Sequence, residues 1–599
     1  MGIKIFPKLS GLMPKNSFKR NIFIHALFFL VFVILASYIT FPLVFKLTSL
    51  TTGYGDELFI AWNHAWNIHT FFINPSNILH IFNAPLFFPY QNTLAYSDAY
   101  LTNSLLLGPV VLLLKEPIVA NNLTLILSFI FLGFFTYLLS FYLTKDHAVS
   151  FVSGLLVQFC PVMLTFLVHI QILASYLVPL SIIFFLEFLK TRKVLFYLLF
   201  LLIFILQMYN SFLPGYFIFF TALILILFYA FSQKNKKRIL NKQIIFLTAF
   251  AFLIILPVVA PYFSVSKQFD YVRDFRETIH FALQPEDFIT TIPQDRFFPL
   301  ISKIPVNVNV PQNAEIKQGF IGLTFSILLV LSLFYFLRKK IKKDFAIKGI
   351  FTSAFLGFIL SLGPFLHLGR LTIHHPFPIP LPYAAFYYLV PGFKGMRNSA
   401  RWEMLFILLS AVVIGYCLHT LLKKNTYKKY FICIALSVVI ILEFNLPLSF
   451  LPIPSLSKAP KLYSWLKTTP ASTSAVEMPI YNWNMQPYVS SEVWREYYST
   501  IDFRPAVNGT SGFTPPPWQN MVINLMRSFP SDGDLKQLKG LGVNLIIIHK
   551  AEYDKLYSNG YKVKDKRIPS GTDIVDFLNS DTKIKLIQAI DNDYVYRLK

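Results

Sequence analysis

Long apolar runs restrict the fold of this chain more than any other feature. A helix that crosses a bilayer needs about 20 mostly apolar residues. Eleven segments of the 599-residue chain come close to that length, at 22–45, 118–143, 148–168, 171–189, 194–211, 214–231, 243–263, 319–337, 346–366, 402–422 and 429–450. Only 14% of the residues are charged, whereas a soluble protein has about 25%. The pattern predicts an all-α polytopic membrane domain.

A twelfth apolar run, 104–114, is too short to cross, so we expect a re-entrant or interfacial helix there. The basic clusters support this choice. With eleven spans, the clusters at 190–193, 234–238, 338–343 and 423–429 all lie on the side of the N-terminus, as the positive-inside rule requires of cytoplasmic loops. These clusters account for much of the net charge of +24 without a nucleic-acid partner.

This topology places three long loops outside, at about 46–103, 264–318 and 367–400. From about residue 452 the apolar runs shorten, and strand-like pieces alternate with helical stretches; the strand-like pieces are 472–478, 543–548 and 594–598. We therefore expect a membrane domain over 1–451 and a small extracytoplasmic α/β domain over 452–599. The Pro-rich piece 451–460 is the expected linker.

The first outer loop carries an acidic pair, Asp56 and Glu57, at the start of a predicted helix with Trp62 and Trp66. Its polar stripe and Trp pair are typical of a helix that lies in the membrane interface. Asp56 either caps this helix, where the dipole favours a carboxylate, or acts as a general base that takes a proton from an acceptor hydroxyl.

Three more polar residues lie at predicted outer positions. Asp98 precedes the short apolar run and either caps it or supplies a second carboxylate. His169 and Gln171 lie at the junction of two spans, where they are either interfacial or capping residues or contact a substrate. The second outer loop carries seven charged residues between 270 and 287, Arg273 and Glu277 among them, and a solvated face explains most of these.

Positive charge outside the membrane runs against the usual bias. Lys394, Arg397 and Arg401 precede a span at spacings of three and four, with Asn398 or Ser399 as a helix cap. Arg401 then lies in the first turn, where the helix dipole disfavours a cation. A bound phosphate would remove the conflict. The alternative is that these side chains extend to lipid headgroups.

Several motifs together resemble a group of uncharacterised bacterial membrane proteins. They are Gly55-Asp56-Glu57 with Trp62 and Trp66, Phe88-Pro89-Tyr90, 94–98, 169–171, 391–397 with 400–402, 507–509 with 511–513, and 541–543 with 548–549. That group is similar to the GT-C class of membrane glycosyltransferases, in which an acidic residue of the first outer loop is central. The resemblance therefore predicts a GT-C-like membrane fold in the cytoplasmic membrane.

The resemblance also implies an activity. The donor would be a sugar on a polyprenyl phosphate or diphosphate, and the acceptor a glycan, lipid or protein. Asp56 would take the acceptor's proton in an inverting attack, while Arg397, Arg401 and Lys394 would stabilise the leaving phosphate. Some GT-C enzymes use a divalent metal and others do not, so Glu57 and Asp98 leave Mg²⁺ or Mn²⁺ open; no metal site is predicted from spacing.

Two other functions compete with the glycosyltransferase. A transporter or flippase of a lipid-linked glycan would have ionisable residues at mid-membrane depth. The predicted spans contain few of these, with Glu187 and Glu443 near span ends. A non-catalytic scaffold that displays the outer domain is the third possibility. Loss of activity from single outer charge changes, with assembly intact, would argue against it.

Overall fold

The computed structural model describes residues 15–232, 241–289, 319–338, 344–368, 371–372, 378–443, 448–485 and 488–599. Parts of the predicted outer loops, 290–318, 369–370 and 373–377, lie outside the described residues. So do most of two predicted basic clusters, within 233–240 and 339–343.

The first part of the chain is helical. Its α-helices are α1 Lys15–Ile39, α2 Asp56–Ile68, α3 Leu101–Leu114, α4 Ile118–Thr144, α5 His147–Gln158, α6 Ile170–Leu173, α7 Leu177–Thr191, α8 Val194–Asn210, α9 Phe212–Ser232, α10 Lys242–Phe269, α11 Phe275–His280, α12 Leu323–Arg338, α13 Phe345–Ser361, α14 Pro382–Leu389, α15 Glu403–Leu422 and α16 Thr426–Glu443. Three two-residue strands, β1 Leu50–Thr51, β2 His367–Leu368 and β3 Leu371–Thr372, lie between them.

Six stretches of helix are long and apolar enough to cross a membrane: Asn21–Ile39, Ile118–Thr144, Ile170–Thr191, Phe212–Ser232, Lys242–Phe269 and Ser399–Leu422. The chain is a membrane protein. A described helix lies in each of the eleven predicted segments, several of them shorter than 18 residues, and the count of eleven spans stays a prediction. At 1.5 Å per residue α3 is about 21 Å long, less than the roughly 30 Å of a bilayer core.

Small residues let the first helices of the bundle approach closely. A side chain on Gly133 of α4 would lie 2.8 Å from the Phe32 ring of α1. On Gly154 of α5, a Cβ would lie 2.7 Å from the Gly133 carbonyl oxygen. In lipid there is no hydrophobic driving force between helices, so they associate mainly through close packing, which small residues permit.

Helix α2 does not present its Trp pair to lipid or water, and its position in the membrane interface stays a prediction. Every residue of α2 after Asp56 is buried, Trp62 and Trp66 among them. The Trp62 indole N–H donates to the Ser499 hydroxyl, 2.9 Å away, and the Trp66 indole donates to the Ile81 carbonyl at 2.8 Å. Residues from the last quarter of the chain therefore cover the tryptophan face of α2. The polar stripe contacts a different segment, where the Asn67 amide donates to the Ala99 carbonyl at 2.6 Å and to the Ser104 hydroxyl at 3.0 Å.

The last quarter contains a four-stranded mixed sheet with the order β5-β6-β10-β9. Its elements are α17 Lys461–Leu466, β5 Ala475–Met478, α18 Val489–Ser499, α19 Pro516–Ser528, α20 Asp532–Gly540, β6 Leu545–His549, α21 Lys550–Ser558, β7 Lys562–Val563, β8 Lys566–Arg567, α22 Gly571–Ser580, β9 Ile584–Ile590 and β10 Asp593–Leu598. Strand β5 is parallel to β6, and β10 is antiparallel to both neighbours. Each of the three predicted strands overlaps one of these.

The predicted linker is itself paired. Strand β4, Leu451–Pro452, pairs antiparallel with β1, so Leu50 lies opposite Pro452. The Tyr54 hydroxyl donates to the Pro452 carbonyl. Glu116 accepts the Leu456 backbone N–H at 3.1 Å. The sheet region is thus fastened to the loops around α2.

A buried guanidinium organises the sheet region. Arg495 of α18, 5% exposed, donates to Glu492 Oε1 at 3.0 Å, to the Pro479 carbonyl at 2.6 Å and to Glu552. His549, at the end of β6, lies between Glu477 (2.9 Å) and Asp593 (2.8 Å). Burial opposes a charge on His549, but the two carboxylates prevail and raise its pKa to about 9. Two cations, Arg495 and His549, thus face four carboxylates in this cluster.

Replacing Arg495 should unfold the sheet region more easily. Arg495→Met leaves Glu492, Glu552 and Glu477 without their shared cation, which costs about 3–5 kcal/mol when a buried pair is broken. We expect a clearly lower Tm of the purified full-length protein in detergent. Lys461→Met is the control, because Lys461 forms an exposed pair worth about 0–1 kcal/mol. Equal Tm losses in the two variants would contradict this account.

Candidate functional site

The acidic pair divides into two structural environments at the start of α2. Both carboxylate oxygens of Glu57 serve the preceding turn: Oε1 accepts the Thr52 hydroxyl at 3.1 Å and Oε2 accepts the Gly55 N–H at 3.3 Å. Burial raises the pKa of Glu57 despite these hydrogen bonds. The Asp56 side chain is 44% exposed, at a helix N-terminus that stabilises its negative charge. Asp56 is thus the accessible carboxylate, whereas Glu57 shapes the turn.

His169 approaches Asp56 from the junction before α6. Its Nδ1 lies 3.8 Å from Asp56 Oδ2, which is too long for a hydrogen bond. Burial, with help from the positive charges of Arg401 and Arg397, lowers the pKa of His169 to about 3. The ring is therefore neutral near pH 7, and the contact with Asp56 is not an ion pair. His169 Nδ1 is buried with no hydrogen-bond partner.

Gln171 is used to hold Tyr100. The buried Tyr100 hydroxyl donates to Gln171 Oε1 at 3.0 Å, and Tyr100 has the left-handed φ of 54°. Asp56 and Asp98 both raise the pKa of Tyr100 in addition to the larger effect of burial. Tyr100 therefore lies near both carboxylates. Sequence reasoning missed it, although it stands only two residues after Asp98.

Asp98 does not cap the short apolar helix. Helix α3 begins after Tyr100 without a side-chain cap. Asp98 instead lies near Ser211 and the backbone N–H of Phe212, where α9 begins, and near Arg401. Burial raises the pKa of Asp98, and these three neighbours offset only part of that rise. The Tyr262 hydroxyl fixes the adjacent backbone by donating to the Ser97 carbonyl at 2.7 Å.

Arg401 lies in the turn just before α15. Asn398 caps this turn as predicted, accepting the Ala400 N–H at 2.9 Å. Asp98 and Asp56 both attract the Arg401 cation, yet Arg401 takes part in none of the ion pairs within 4 Å among the described residues. Its Nε is buried without a hydrogen-bond partner. Arg401 thus has donor capacity left for an anion.

Arg397 and Lys394 lie further out on the same segment and are exposed. Arg397 Nε is 2.7 Å from Glu277 Oε1, and its guanidinium lies 4.4 Å above the Phe281 ring. The Lys394 ammonium lies 5.7 Å from the Tyr388 ring. Glu277 is thus a loop residue that a solvated face alone does not explain, because it is paired with a predicted site residue.

The structure gathers most of the predicted site residues around one place. Asp56, Asp98, His169 and Arg401 interact electrostatically, with Gln171 attached through Tyr100. Arg397 lies near His169 and Arg401. Glu57 and Lys394 lie beside this group without a described contact to it. The roles predicted for all eight residues stay predictions.

Part of the sheet region packs beside these site residues. The Asn508 carbonyl accepts the Phe87 N–H at 3.2 Å, and a Cβ on Gly512 would lie 3.4 Å from Ser97 Oγ, next to Asp98. Arg273 donates to the Gly512 carbonyl. Residues 507–513, one of the motifs behind the resemblance, therefore border the acidic loop.

The residues present do not fit a divalent metal. Over the described ranges, no group of three or more His, Cys, Asp and Glu side chains has an arrangement that could hold an ion. Arg401 also lies close to the two carboxylates and would repel one. We derive no step through a metal.

The model of a protein family described as a domain of unknown function, DUF6311, matches residues 33–443. The chain belongs to this family. The matched residues include Asp56, Asp98, His169, Gln171, Lys394, Arg397 and Arg401, whereas the sheet region lies beyond the match. A search of curated proteins found no match.

Solved structures similar to this DUF6311 chain are glycosyltransferases. The arabinofuranosyltransferase AftD from Mycobacteria matches with 11% identity and a TM-score of 0.49, over 96% of this chain and 40% of that one. The Archaeoglobus fulgidus oligosaccharyltransferase, in complex with Zn and sulfate, matches with 11% identity and a TM-score of 0.49, over 90% and 70%. AglB from the same organism, with an inhibitory peptide and a dolichol-phosphate, matches with 10% identity and a TM-score of 0.42. Each of these matches has a TM-score below 0.5, and the resemblance to the GT-C class stays a prediction.

The contact between Trp62 and Ser499 should stabilise the covered position of α2. Ser499→Ala would leave the buried indole N–H without an acceptor, at a cost of about 1–3 kcal/mol. We expect a lower Tm of the full-length protein and faster proteolysis around α2. Ser580→Ala, which removes an exposed hydroxyl from the end of α22, should leave both unchanged. An unchanged Tm in Ser499→Ala would refute the stabilising role.

Proposed function

We propose that the chain is a membrane glycosyltransferase. It transfers a sugar from a polyprenyl-phosphate or polyprenyl-diphosphate donor to an acceptor hydroxyl or amide at the outer face of the cytoplasmic membrane. The observation that carries the proposal is the proximity of an accessible carboxylate, Asp56, to the Arg401 guanidinium, which forms no ion pair within 4 Å with the residues that the structure describes. A general base and an anion site are what inverting transfer from a lipid phosphate requires.

In the proposed reaction Asp56 accepts the proton of the acceptor as the acceptor attacks the anomeric carbon. The bond from that carbon to the phosphate oxygen breaks on the opposite face, so the configuration inverts. Arg401 and Arg397 donate to the phosphate as its negative charge grows, and an interaction that strengthens in the transition state raises the rate. His169 is neutral, so it offers hydrogen bonds between the base and the arginines without adding charge.

Asp98 and Tyr100 position these groups. Asp98 lies near the start of α9 and attracts the Arg401 cation. This attraction offsets the cost of placing a guanidinium at the edge of an apolar helix bundle. Because Asp98 does not bond Arg401 directly, the guanidinium keeps donors for phosphate. Tyr100 and Gln171 connect the acidic loop to α6, next to His169.

The proposed topology has eleven spans with the N-terminus in the cytoplasm. The site and the sheet region then lie together on the outer side, and a donor with an isoprenoid tail reaches the site from within the bilayer. The region from about residue 452 is proposed as a small extracytoplasmic α/β domain that borders the site and contacts the acceptor, which is a glycan, a lipid or a protein. The packing of 507–513 beside Ser97 supports that placement.

Removing the proposed base tests the chemistry directly. Asp56→Asn should lower transfer by at least about 100-fold, the lower limit for loss of a general base, with the Tm unchanged. The assay follows consumption of polyprenyl-phosphate sugars by the full-length protein in liposomes, by mass spectrometry. Asp591→Asn, at an exposed carboxylate in the sheet region, is the charge-matched control and should retain full activity. Normal transfer by Asp56→Asn would exclude the proposed base.

Replacing Arg401 tests the anion site. Arg401→Gln should lower kcat/KM about 100-fold or more, and Arg401→Lys should restore only part, since an ammonium lacks the planar fork that matches a phosphate. Measuring the affinity for polyprenyl phosphate alongside kcat/KM separates binding from turnover. Equal rates in Arg401→Gln and the wild type would show that the leaving phosphate is stabilised elsewhere.

A further inference from the structure

Glu277, in α11, lies between two guanidinium groups. Its Oε1 is 2.7 Å from Arg397 Nε, and its Oε2 is 3.9 Å from Arg273 Nη1. The first contact is a hydrogen-bonded ion pair, and the second is an ion pair beyond hydrogen-bond distance. A small rotation of the Glu277 side chain would shorten the second contact as it lengthens the first. The carboxylate therefore has two alternative partners within reach.

The pair between Glu277 and Arg397 occupies a cation that the proposed reaction needs. Both side chains are partly exposed, and ion pairs of this kind contribute little to stability. The phosphodiester of a polyprenyl-phosphate sugar carries one negative charge, as a carboxylate does, and a diphosphate carries more. Glu277 contacts Arg397 through a single oxygen, whereas a phosphate can take two donors of one guanidinium. Phosphate should therefore compete successfully for Arg397, while the stacking on Phe281 keeps the guanidinium in place.

Arg273, the alternative partner, connects the site to the sheet region. Its guanidinium donates to the Gly512 carbonyl, and its backbone N–H donates to the Lys394 carbonyl at 2.9 Å. The Tyr387 hydroxyl donates to the Arg273 carbonyl at 2.8 Å. Arg273 Nε is buried and has no hydrogen-bond partner among the described residues. The Arg273 guanidinium can therefore still donate to a carboxylate that comes closer. A stronger contact with Glu277 would hold Arg273, and with it the Gly512 segment, more firmly.

We propose that Glu277 is a displaceable counter-ion of the donor site. The phosphate of the donor replaces Glu277 on Arg397, and Glu277 moves to Arg273, which holds residues 511–513 against the acidic loop. After transfer, Glu277 competes again for Arg397 and promotes release of the polyprenyl phosphate product. This proposal rests on the proposed function, because the displacing phosphate is that of the donor.

Binding of geranyl monophosphate, a short soluble polyprenyl phosphate, to the purified full-length protein tests the exchange. Glu277→Gln should tighten binding three- to tenfold, since the competing carboxylate is gone. Arg397→Gln should weaken binding tenfold or more. The double variant should bind like Arg397→Gln alone, because Glu277 weakens phosphate binding by competing for Arg397, and the two changes are then not additive. Asp591→Asn raises the net charge equally at a distant site and should bind like the wild type.

Hydrogen exchange supplies a readout that a purely structural Glu277 would not change. Geranyl monophosphate should slow amide exchange at 511–513 in the wild type but not in Glu277→Gln. Unchanged or weaker binding in Glu277→Gln, or equal slowing of exchange in both proteins, would overturn the counter-ion proposal while leaving the glycosyltransferase proposal in place. Failure of the wild type to bind geranyl monophosphate at all would overturn both.

Discussion

The arrangement around the site follows from one constraint: a guanidinium at the end of an apolar helix bundle needs anions nearby. Arg401 lies in the turn before α15, where the helix dipole disfavours a cation. Asp98 and Asp56 supply the compensating field from two different places in the chain. Among the described residues neither carboxylate lies within 4 Å of the Arg401 guanidinium, and its Nε donor remains unused. A buried cation that is only partly satisfied is a natural place for a phosphate to bind.

Contacts from the sheet region hold α2 and the acidic loop in place. The indole of Trp62 is bonded to Ser499, the linker pairs as β4 with β1, and residues 507–513 pack on the loop that carries Asp98. These contacts cover the tryptophan face of α2, while Asn67 on its polar stripe donates to the Ala99 carbonyl and the Ser104 hydroxyl. The sheet region is itself stabilised by Arg495 within a group of carboxylates. Stability of the last quarter of the chain and geometry of the acidic loop are therefore coupled.

Local patterns predicted most of the helices and the cap of one turn at the site. Each apolar run of about 20 residues contains a helix, because backbone hydrogen bonds inside lipid are satisfied only within a helix. Asn398 caps its turn as its position before a helix suggested. The partner of Glu277 was not predicted, since a charged residue in a loop looks the same whether it faces water or an arginine more than a hundred residues away. Tyr100 was missed because its left-handed backbone and its bond to Gln171 leave no periodic signal.

The sequence by itself determined that the chain enters a membrane and that unusual charges cluster at the ends of its apolar segments, because hydropathy and charge spacing are local properties. Only the tertiary structure decided which of these charges meet. The fold brings four residues together from separate segments: Asp56, Asp98, His169 and Arg401. It also pairs Arg397 with Glu277. It also separated Asp56 from Glu57, since adjacent residues on a helix point in different directions and only one of these two faces the shared space.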